Sequence, residues 1–453
     1  MGTLDRTIFS NSILNQIGKW LPRGWVWRRS TLGPLQTFLT VMHMVAFGNK
    51  GYRSALRDVW SDMHRAFGWG DGAPTPSALA QARGKLSEKM CRDLFRRVAC
   101  EAGHVSSRSR LRYRNFKRII AVDGTHTALA STPGLKRDFG CPFGEHLAPQ
   151  ALLTVLWDIG GNVPVDWRLG AHDGSENADL ADMLGSLFPG DILLADRLFP
   201  GRELFADLHR RSVDYVMRVK TSGAHIAKEI TAFVASGLND QTVMLPGHPG
   251  IAIRLVRGHR EGTEHIVLIT SLTGPEHDPR AIADLYQRRW GIETAYREAK
   301  GWHGLDALPG RSKQMVRQEV CALMLFWLIQ GELEGQARQV YADEIRRQPD
   351  VDPAWTPAEG MVEVPVIFNR KLLATSVALL MAAAVTSLDE AVTSWRVSIR
   401  YLWQNRSRRR PGRKERRTSQ RPHDLKFRDE ISSAAAQGGR DKKGTGVAKQ
   451  HCS

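Results

Sequence analysis

The chain has 453 residues, with 64 Lys and Arg against 47 Asp and Glu, and its formal net charge of +17 predicts a polyanionic partner such as nucleic acid. Apolar residues make up 42% of the sequence, which is enough for a packed core and excludes a wholly disordered protein. The five cysteines are scattered and form no CxxC pair, which argues against a disulfide-rich secreted scaffold and against a cysteine zinc site.

The apolar runs predict buried helices rather than membrane spans. The longest of them, 320–329 and 372–385, are shorter than the ~20 residues that cross a bilayer. The first residues carry no basic segment leading into an apolar one, as a signal peptide would. We therefore expect no membrane partner and a cytoplasmic, DNA-associated protein of a bacterial cell.

Residues 1–110 are predicted to be helical. Apolar side chains between 35 and 45 recur at helical spacing, and a second stretch of helix formers begins at Ser77, after a loop rich in Gly and Pro. Helices joined in this way can form a DNA-binding module, and they can equally form a scaffold.

From residue 118 the pattern changes to strands alternating with helices. Short apolar runs predict strands at 118–122, 151–159, 163–169, 191–195 and 215–219, with helices at 179–188 and 202–211 between them. This alternation predicts an α/β layered core. Turn residues and alternating apolar residues over 226–265 predict a β-rich insertion, after which one long helix is expected from Asp278-Pro279 to about Gly301.

The rest of the chain is predicted to be helical and then irregular. Residues 315–390 have the composition of buried helices. Within 401–453, the stretch from about Asn405 carries many Arg and almost no apolar residues, and the stretch after Phe427 is rich in Ser, Ala, Gly and Lys, which predicts a basic, disordered tail.

Two aspartates follow predicted strands directly. Asp123 follows the first strand and Asp196 the fourth, and functional sites of open α/β sheets gather at strand ends. The alternative for each is a solvated loop acid. Asp158 and Glu176 are expected to be structural or solvated, and His126 is expected to have no special role.

A third carboxylate lies among cations on the predicted helix. At about 100° per residue, Tyr286, Arg289, Glu293 and Lys300 fall within a stripe about 60° wide, with Arg297 close by. The alternative is an exposed charged face with i,i+4 ion pairs. Three converging carboxylates could bind two divalent ions for phosphoryl transfer, and the cations could hold neighbouring phosphates.

The spacing Tyr286-x2-Arg289-x3-Glu293-x6-Lys300 resembles the Y-R-E-K signature of the insertion sequence 4 family of DDE transposases. The segments IIAVDGTH and GDILLADRLF resemble the stretches around that family's two catalytic aspartates. The resemblance extends over roughly residues 35–330 and is weakest in the N-terminal helices.

The resemblance implies an RNase H-like catalytic core of α/β class with a β-rich insertion. It implies that Asp123, Asp196 and Glu293 bind Mg²⁺ or Mn²⁺ in a two-metal site. Tyr286, Arg289 and Lys300, joined by Arg297 from the stripe, would contact DNA. The implied partners are double-stranded DNA, as terminal inverted repeats and as target, and a second copy of the chain.

The sequence thus predicts a transposase that cuts and joins DNA at terminal repeats. The predicted layout has four parts: an N-terminal helical domain, 1–110; a catalytic domain, 111–330, with its insertion at about 226–265; a C-terminal helical region, 331–400; and the tail, 401–453. The main alternative is a catalytically inactive DNA-binding or regulatory protein of the same fold. A generic metal hydrolase would leave the cation stripe and the net charge unexplained.

Overall fold

The computed structural model describes most of the chain, and the described residues lie within one compact unit, Met1–Arg409. They are residues 17, 19–21, 32–48, 51–57, 74–103, 111–144, 146–220, 226–259, 265–347, 359–364, 366–386 and 388–408. The predicted tail lies outside them from residue 409 onward, so its disorder stays a prediction.

Twelve strands are present in the described part. In chain order they are β1 (Leu111–Tyr113), β2 (Arg118–Ala128), β3 (Gln150–Asp158), β4 (Val163–Ala171), β5 (Asp191–Ala195), β6 (Asp214–Val219), β7 (Asp240–Leu245), β8 (His248–His259), β9 (His265–Thr270), β10 (Met361–Glu363), β11 (Val366–Ile367) and β12 (Ser407–Arg408). Eight of them form a mixed sheet in the order β4-β3-β2-β5-β6-β9-β8-β7, in which β2, β5 and β6 are parallel neighbours.

Thirteen α-helices accompany the strands in the described part. They are α1 (Pro34–Ala46), α2 (Pro76–Lys85), α3 (Glu88–Gly103), α4 (Pro133–Phe139), α5 (Glu176–Met183), α6 (Arg202–Arg210), α7 (Ala227–Ser236), α8 (Pro279–Gln287), α9 (Trp290–Trp302), α10 (Lys313–Val340), α11 (Ala342–Arg347), α12 (Arg370–Thr386) and α13 (Leu388–Gln404). None of the described helices has the length and apolar character that a membrane crossing requires.

The sheet is buried on both faces, which explains why its central strands are continuous apolar runs. Successive side chains of a strand point to opposite faces. On β2, Ile119 and Ala121 accordingly belong to one hydrophobic cluster, whereas Ile120 and Val122 belong to another. The mixed α/β class and the strands from β2 to β6 are as the sequence predicts.

The region predicted as a β-rich insertion differs from the prediction in two ways. It begins with a helix, α7, because Ile230 and Phe233 lie one helical turn apart and are both buried. The three strands that follow join the main sheet, since β9 pairs antiparallel with β6. They therefore extend the sheet of the core.

The helix predicted from residue 278 to about 301 is two helices, α8 and α9. Asp278 caps α8 as expected, accepting a hydrogen bond from the backbone N–H of Arg280 at 2.7 Å. Between the helices, the N–H groups of Arg288 and Arg289 bond to carbonyls three residues back, which tightens the turn. The stripe calculated for one continuous helix therefore spans two helices, with Tyr286 on α8 and Glu293 and Lys300 on α9.

The described N-terminal helices pack on the core, which leaves their role in DNA binding a prediction. Nearly every residue of α1 is buried, and α1 and α3 both pack against α10. The Arg83 side chain of α2 is fully buried and donates to Glu319 of α10 at 2.8 Å. Beyond α10, the short strands β10 and β11 interrupt the helices predicted over 315–390, because β10 pairs with β1.

Candidate functional site

Asp123 lies within β2, and Asp196 directly follows β5, the parallel strand next to β2. The strand β2 continues past Asp123 to Ala128, so Asp123 lies within the strand and not at its end as predicted, because β3 pairs with β2 along this whole stretch. The pairing of β2 with β5 places Ala121 opposite Leu194, two residues before each aspartate. Neighbouring strands are about 4.8 Å apart, so the register brings the two aspartates together.

Helix α9 is fastened along β2 by two hydrogen bonds. The Tyr296 hydroxyl donates to the backbone carbonyl of Asp123 at 2.7 Å, and Lys300 Nζ donates to the carbonyl of His126 at 2.6 Å. Gly291 allows this close approach to the sheet, because a Cβ there would lie 2.9 Å from Ile159 Cδ1. The helix that carries Glu293 is therefore held over the strand that carries Asp123.

Arg289 connects two of the three predicted carboxylates. Its Nη1 lies 3.4 Å from Asp123 Oδ2, and its Nη2 lies 2.8 Å from Glu293 Oε1. The guanidinium also lies over the Trp290 ring, 5.2 Å from the centroid. The Arg289 side chain is only 8% exposed, and its Nε is buried without a hydrogen-bond partner among the described residues.

The local electrostatics disfavour the ionised form of Asp123. Burial raises the pKa of its carboxyl to about 6, and the charges of Asp196 and Glu293 add to the rise. Arg289 and the N–H of Gly124, which lies 3.1 Å from Asp123 Oδ1, act in the opposite direction. The site therefore has a surplus of negative charge that a cation would neutralise.

Glu176, which the sequence reasoning placed outside the site, lies next to Asp123. A Cβ on Gly124 would overlap the Glu176 carboxyl group, so that group packs directly on the backbone beside Asp123. Burial raises the pKa of Glu176 to about 7, with further contributions from Asp123 and Asp196. The sequence contains one signal for this position: Glu176 directly follows Ser175, which caps α5, so it is the first residue of that helix.

The predicted DNA-contacting residues lie on two helices: Tyr286 is on α8, and Arg297 and Lys300 are on α9. Tyr286, on α8, is buried, and this burial raises its pKa, while Arg289 beside the phenol lowers it. Arg297 is exposed on α9. Lys300, besides its bond to the β2 backbone, lies 3.6 Å from Asp306. Their contact with DNA stays a prediction.

The other residues considered for the site lie outside the group formed by Asp123, Arg289 and Glu293. Asp158 is fully buried and accepts the N–H of Gly160 at 2.9 Å, which is a structural role in a turn. His126 is exposed, and its Nε2 lies 2.9 Å from the carbonyl of His172. Trp290 and Trp302, at the two ends of α9, are 45% and 47% exposed.

The donor set suits a hard divalent cation, although the ligands are not preassembled. Carboxylate oxygens are the ligands that Mg²⁺ and Mn²⁺ prefer, and burial, with a smaller contribution from Asp196 and Glu293, raises the pKa of Asp123. Within the described ranges, no three His, Cys, Asp or Glu side chains are grouped as a metal site. Arg289 holds Asp123 and Glu293 instead, so metal binding requires the carboxylates to draw together.

Residues 114–329 match the family model described as the transposase DDE domain. The chain is also 34% identical over 246 residues to the transposase for insertion sequence element IS421 from Escherichia coli, an alignment that covers 41% of this chain. The chain spans 65% of the length of that curated relative.

Among solved structures, a cryo-EM structure of the piggyBac transposase synaptic complex with hairpin DNA is similar at a TM-score of 0.41 and 10% identity. That alignment covers 92% of this chain and 86% of the other. Residues 114–329 are therefore similar to the transposase DDE domain, and an insertion-sequence transposase is among the proteins that this part of the chain resembles.

Proposed function

From the transposase DDE domain of residues 114–329, we propose that this protein is a DNA transposase of the insertion sequence 4 type, with Asp123, Asp196 and Glu293 as its catalytic carboxylates. One observation carries the assignment of the residues: Arg289 binds Asp123 of β2 and Glu293 of α9, at the point where Asp196 adjoins Asp123. All of these residues lie inside the region that matches the domain.

We propose an RNase H-like core for this domain. The topology supports the proposal, because the antiparallel strands β4, β3 and β2 lie at one side of the sheet and β2 is followed by the parallel strands β5 and β6. In this arrangement the first and fourth strands of the core carry the two aspartates side by side.

Asp123, Asp196 and Glu293 would hold Mg²⁺ or Mn²⁺ in a two-metal site. Such ions activate the attacking oxygen of a phosphoryl transfer and stabilise the leaving one. Arg289 supports a role in phosphate binding, because its buried Nε has no partner among the described residues. Arg289 bound to a DNA phosphate would leave Asp123 and Glu293 free to hold the metal.

The remaining cations would position the DNA strand. Lys300 lies about two helical turns beyond Glu293, and Arg297 is exposed between them. Tyr286 lies beside Arg289 at the end of α8. The proposed substrates are double-stranded terminal inverted repeats and target DNA, joined by cut-and-paste transfer in a dimer of the chain.

The test is cleavage of a duplex that carries the inverted repeats flanking the gene, in Mg²⁺ or Mn²⁺. We expect Asp123→Asn, Asp196→Asn and Glu293→Gln each to lower cleavage by at least about 100-fold, because each removes a metal ligand. DNA affinity, which depends on phosphate contacts, is expected to remain.

The matched control is Asp173→Asn, an exposed carboxylate in the loop before α5, and it should cleave like the wild type. Full cleavage by one of the three variants would remove that residue from the site. A wild-type chain that binds the repeats but never cuts them would support the alternative, a DNA-binding protein that has lost catalysis.

A further inference from the structure

We propose that Arg370 of α12 is a positioning residue, which holds α9 from the side opposite the sheet and so fixes Glu293 relative to Asp123. The proposal rests on the proposed function, since it concerns the same site. Arg370 lies outside the family match of residues 114–329, so the C-terminal helices would take part in building the site. It would act through Glu298 of α9.

A salt bridge joins the first residue of α12 to the helix that carries Glu293. Arg370 Nε donates to Glu298 Oε2 at 2.9 Å, and the two side chains are only 15% and 18% exposed. Water and dissolved salt screen such a pair less than they screen a fully exposed one. The salt bridge can therefore restrain the distance between α12 and α9.

The Arg370 side chain is itself held by α10 and by the start of α12. Its Nη1 lies 3.6 Å from Glu334 Oε2, and Glu334 also binds Arg338 one helical turn further along α10. Asn369 caps α12, since its side chain accepts the backbone N–H of Lys371 at 3.0 Å. Arg370 is thus engaged with carboxylates on two helices, which favours a structural link over contact with a phosphate.

Tyr296 and Glu298 project from opposite sides of α9, because at about 100° per residue they lie about 200° apart around the helix axis. On the side of the sheet, the Tyr296 hydroxyl donates to the backbone carbonyl of Asp123 at 2.7 Å. On the other side, Glu298 meets Arg370. The helix is therefore held between β2 and α12, and Glu293, three residues before Tyr296, is held with it.

This restraint matters most when DNA is bound. In the absence of DNA, Arg289 binds Glu293 directly at 2.8 Å. Once Arg289 is bound to a phosphate, the position of Glu293 depends on the contacts that hold α9. A displacement of about 1 Å at a catalytic group can lower a rate about 100-fold. Arg370 therefore determines how readily Glu293 completes the metal site.

The experiment compares Arg370→Gln and Glu298→Gln with the wild type in the full chain. Cleavage of the duplex with the inverted repeats is measured at saturating DNA over a range of Mn²⁺ concentrations. We expect each variant to cleave about 10- to 100-fold more slowly and to need more Mn²⁺ for half its maximal rate, because a displaced Glu293 binds metal less well. A merely unstable chain would lose active molecules without changing that Mn²⁺ concentration.

A double variant and a matched control complete the comparison. Arg370→Gln combined with Glu298→Gln should cleave no more slowly than Arg370→Gln alone, since both changes remove the same link. Lys371→Gln removes an exposed cation from the same turn of α12 and should cleave like the wild type. Thermal unfolding checks that every variant folds, and DNA affinity should stay unchanged.

Hydrogen exchange of backbone amides gives a readout that depends neither on cleavage nor on metal. We expect the amides of α9 to exchange about tenfold faster in Arg370→Gln than in the wild type, with those of β5 unchanged. A general loss of stability would instead speed exchange in both elements.

The outcomes separate this proposal from the proposed function. Unchanged cleavage by Arg370→Gln would overturn the positioning role, as would slower cleavage with an unchanged Mn²⁺ requirement and unchanged exchange of α9. A wild type that never cuts the duplex would overturn the proposed function instead. The exchange of α9 would then still decide whether Arg370 holds that helix.

Discussion

At the scale of single residues, burial distinguishes acids that the sequence treats alike. Asp123, Asp158 and Glu176 all have a pKa raised first by burial, to about 6, about 6 and about 7. Each of the three also has an acidic neighbour that raises its pKa, which for Asp158 is Asp191, but the Asp158 carboxyl is held by the backbone N–H groups of Gly160 and Gly161. A raised pKa alone therefore does not separate a structural carboxyl from one in a functional site.

The variant Asp158→Asn tests the structural role of the Asp158 carboxyl through the pH dependence of the unfolding free energy. The folded pKa of Asp158 lies above its unfolded value, so wild-type stability should fall as pH rises from about 4 through about 6. Asparagine cannot ionise, so the variant should not lose this stability. The unfolding free energy of the variant minus that of the wild type should therefore rise by about 2 to 3 kcal/mol as pH rises across this window.

Urea unfolding at several pH values gives the measurement. The exposed carboxylate variant Asp173→Asn is the control and should follow the wild-type profile. Parallel profiles of the wild type and Asp158→Asn would show that the buried carboxyl does not titrate in this range.

At the scale of elements, close packing between helix and sheet controls where the site residues lie. Gly291 of α9 lets that helix approach Ile159, and α10 approaches the β3–β4 hairpin in a similar way through Gly331. A Cβ on Gly331 would overlap Val163 Cγ1, whereas a Cβ on Gly301 of α9 would meet nothing within 4 Å. Close packing therefore requires a glycine at position 331 but not at position 301.

We expect Gly331→Ala to destabilise the protein by about 1 to 3 kcal/mol, because the added methyl overpacks α10 against β4. Gly301→Ala, the matched control, should stabilise it by about 0.5 to 1 kcal/mol through helix propensity. Denaturant unfolding of both variants measures the difference. A change in unfolding free energy of the same sign in both variants would contradict the role of close packing at Gly331.

At the scale of the whole molecule, the N-terminal helices and the domain that carries the site share one core. Arg83 is completely buried and binds Glu319, Gln318 and the carbonyl of Met315, all on α10. The carboxyl group of Glu319 also accepts the N–H of Gly310 at 3.0 Å. The described N-terminal helices are therefore built into the structure that supports α9.

Arg83→Leu should lower the unfolding free energy by about 3 to 5 kcal/mol, because it leaves the Glu319 carboxylate buried without its cation. The double variant Arg83→Leu with Glu319→Leu should lose less than the sum of the two single variants. Unfolding curves by fluorescence and circular dichroism should coincide. Separate transitions for the N-terminal helices would contradict the shared core.

The sequence by itself determined the local features of this protein. The apolar runs predicted the strands from β2 to β6, Asp278-Pro279 marked the start of α8, and Asp196 follows its strand as expected. The spacing of Arg289 and Glu293 predicted their ion pair as neighbours one helical turn apart. Periodicity, capping and turn chemistry act over a few residues, so they can be read from the sequence.

Only the tertiary structure decided which distant groups meet. Arg289 and Asp123 are 166 residues apart, and Glu176 reaches the site because Thr154 and Leu198 hold α5 there. The joining of β9 to β6 likewise brings together separate parts of the chain. Such contacts follow from strand register and helix packing, which couple parts of the chain that no local pattern connects.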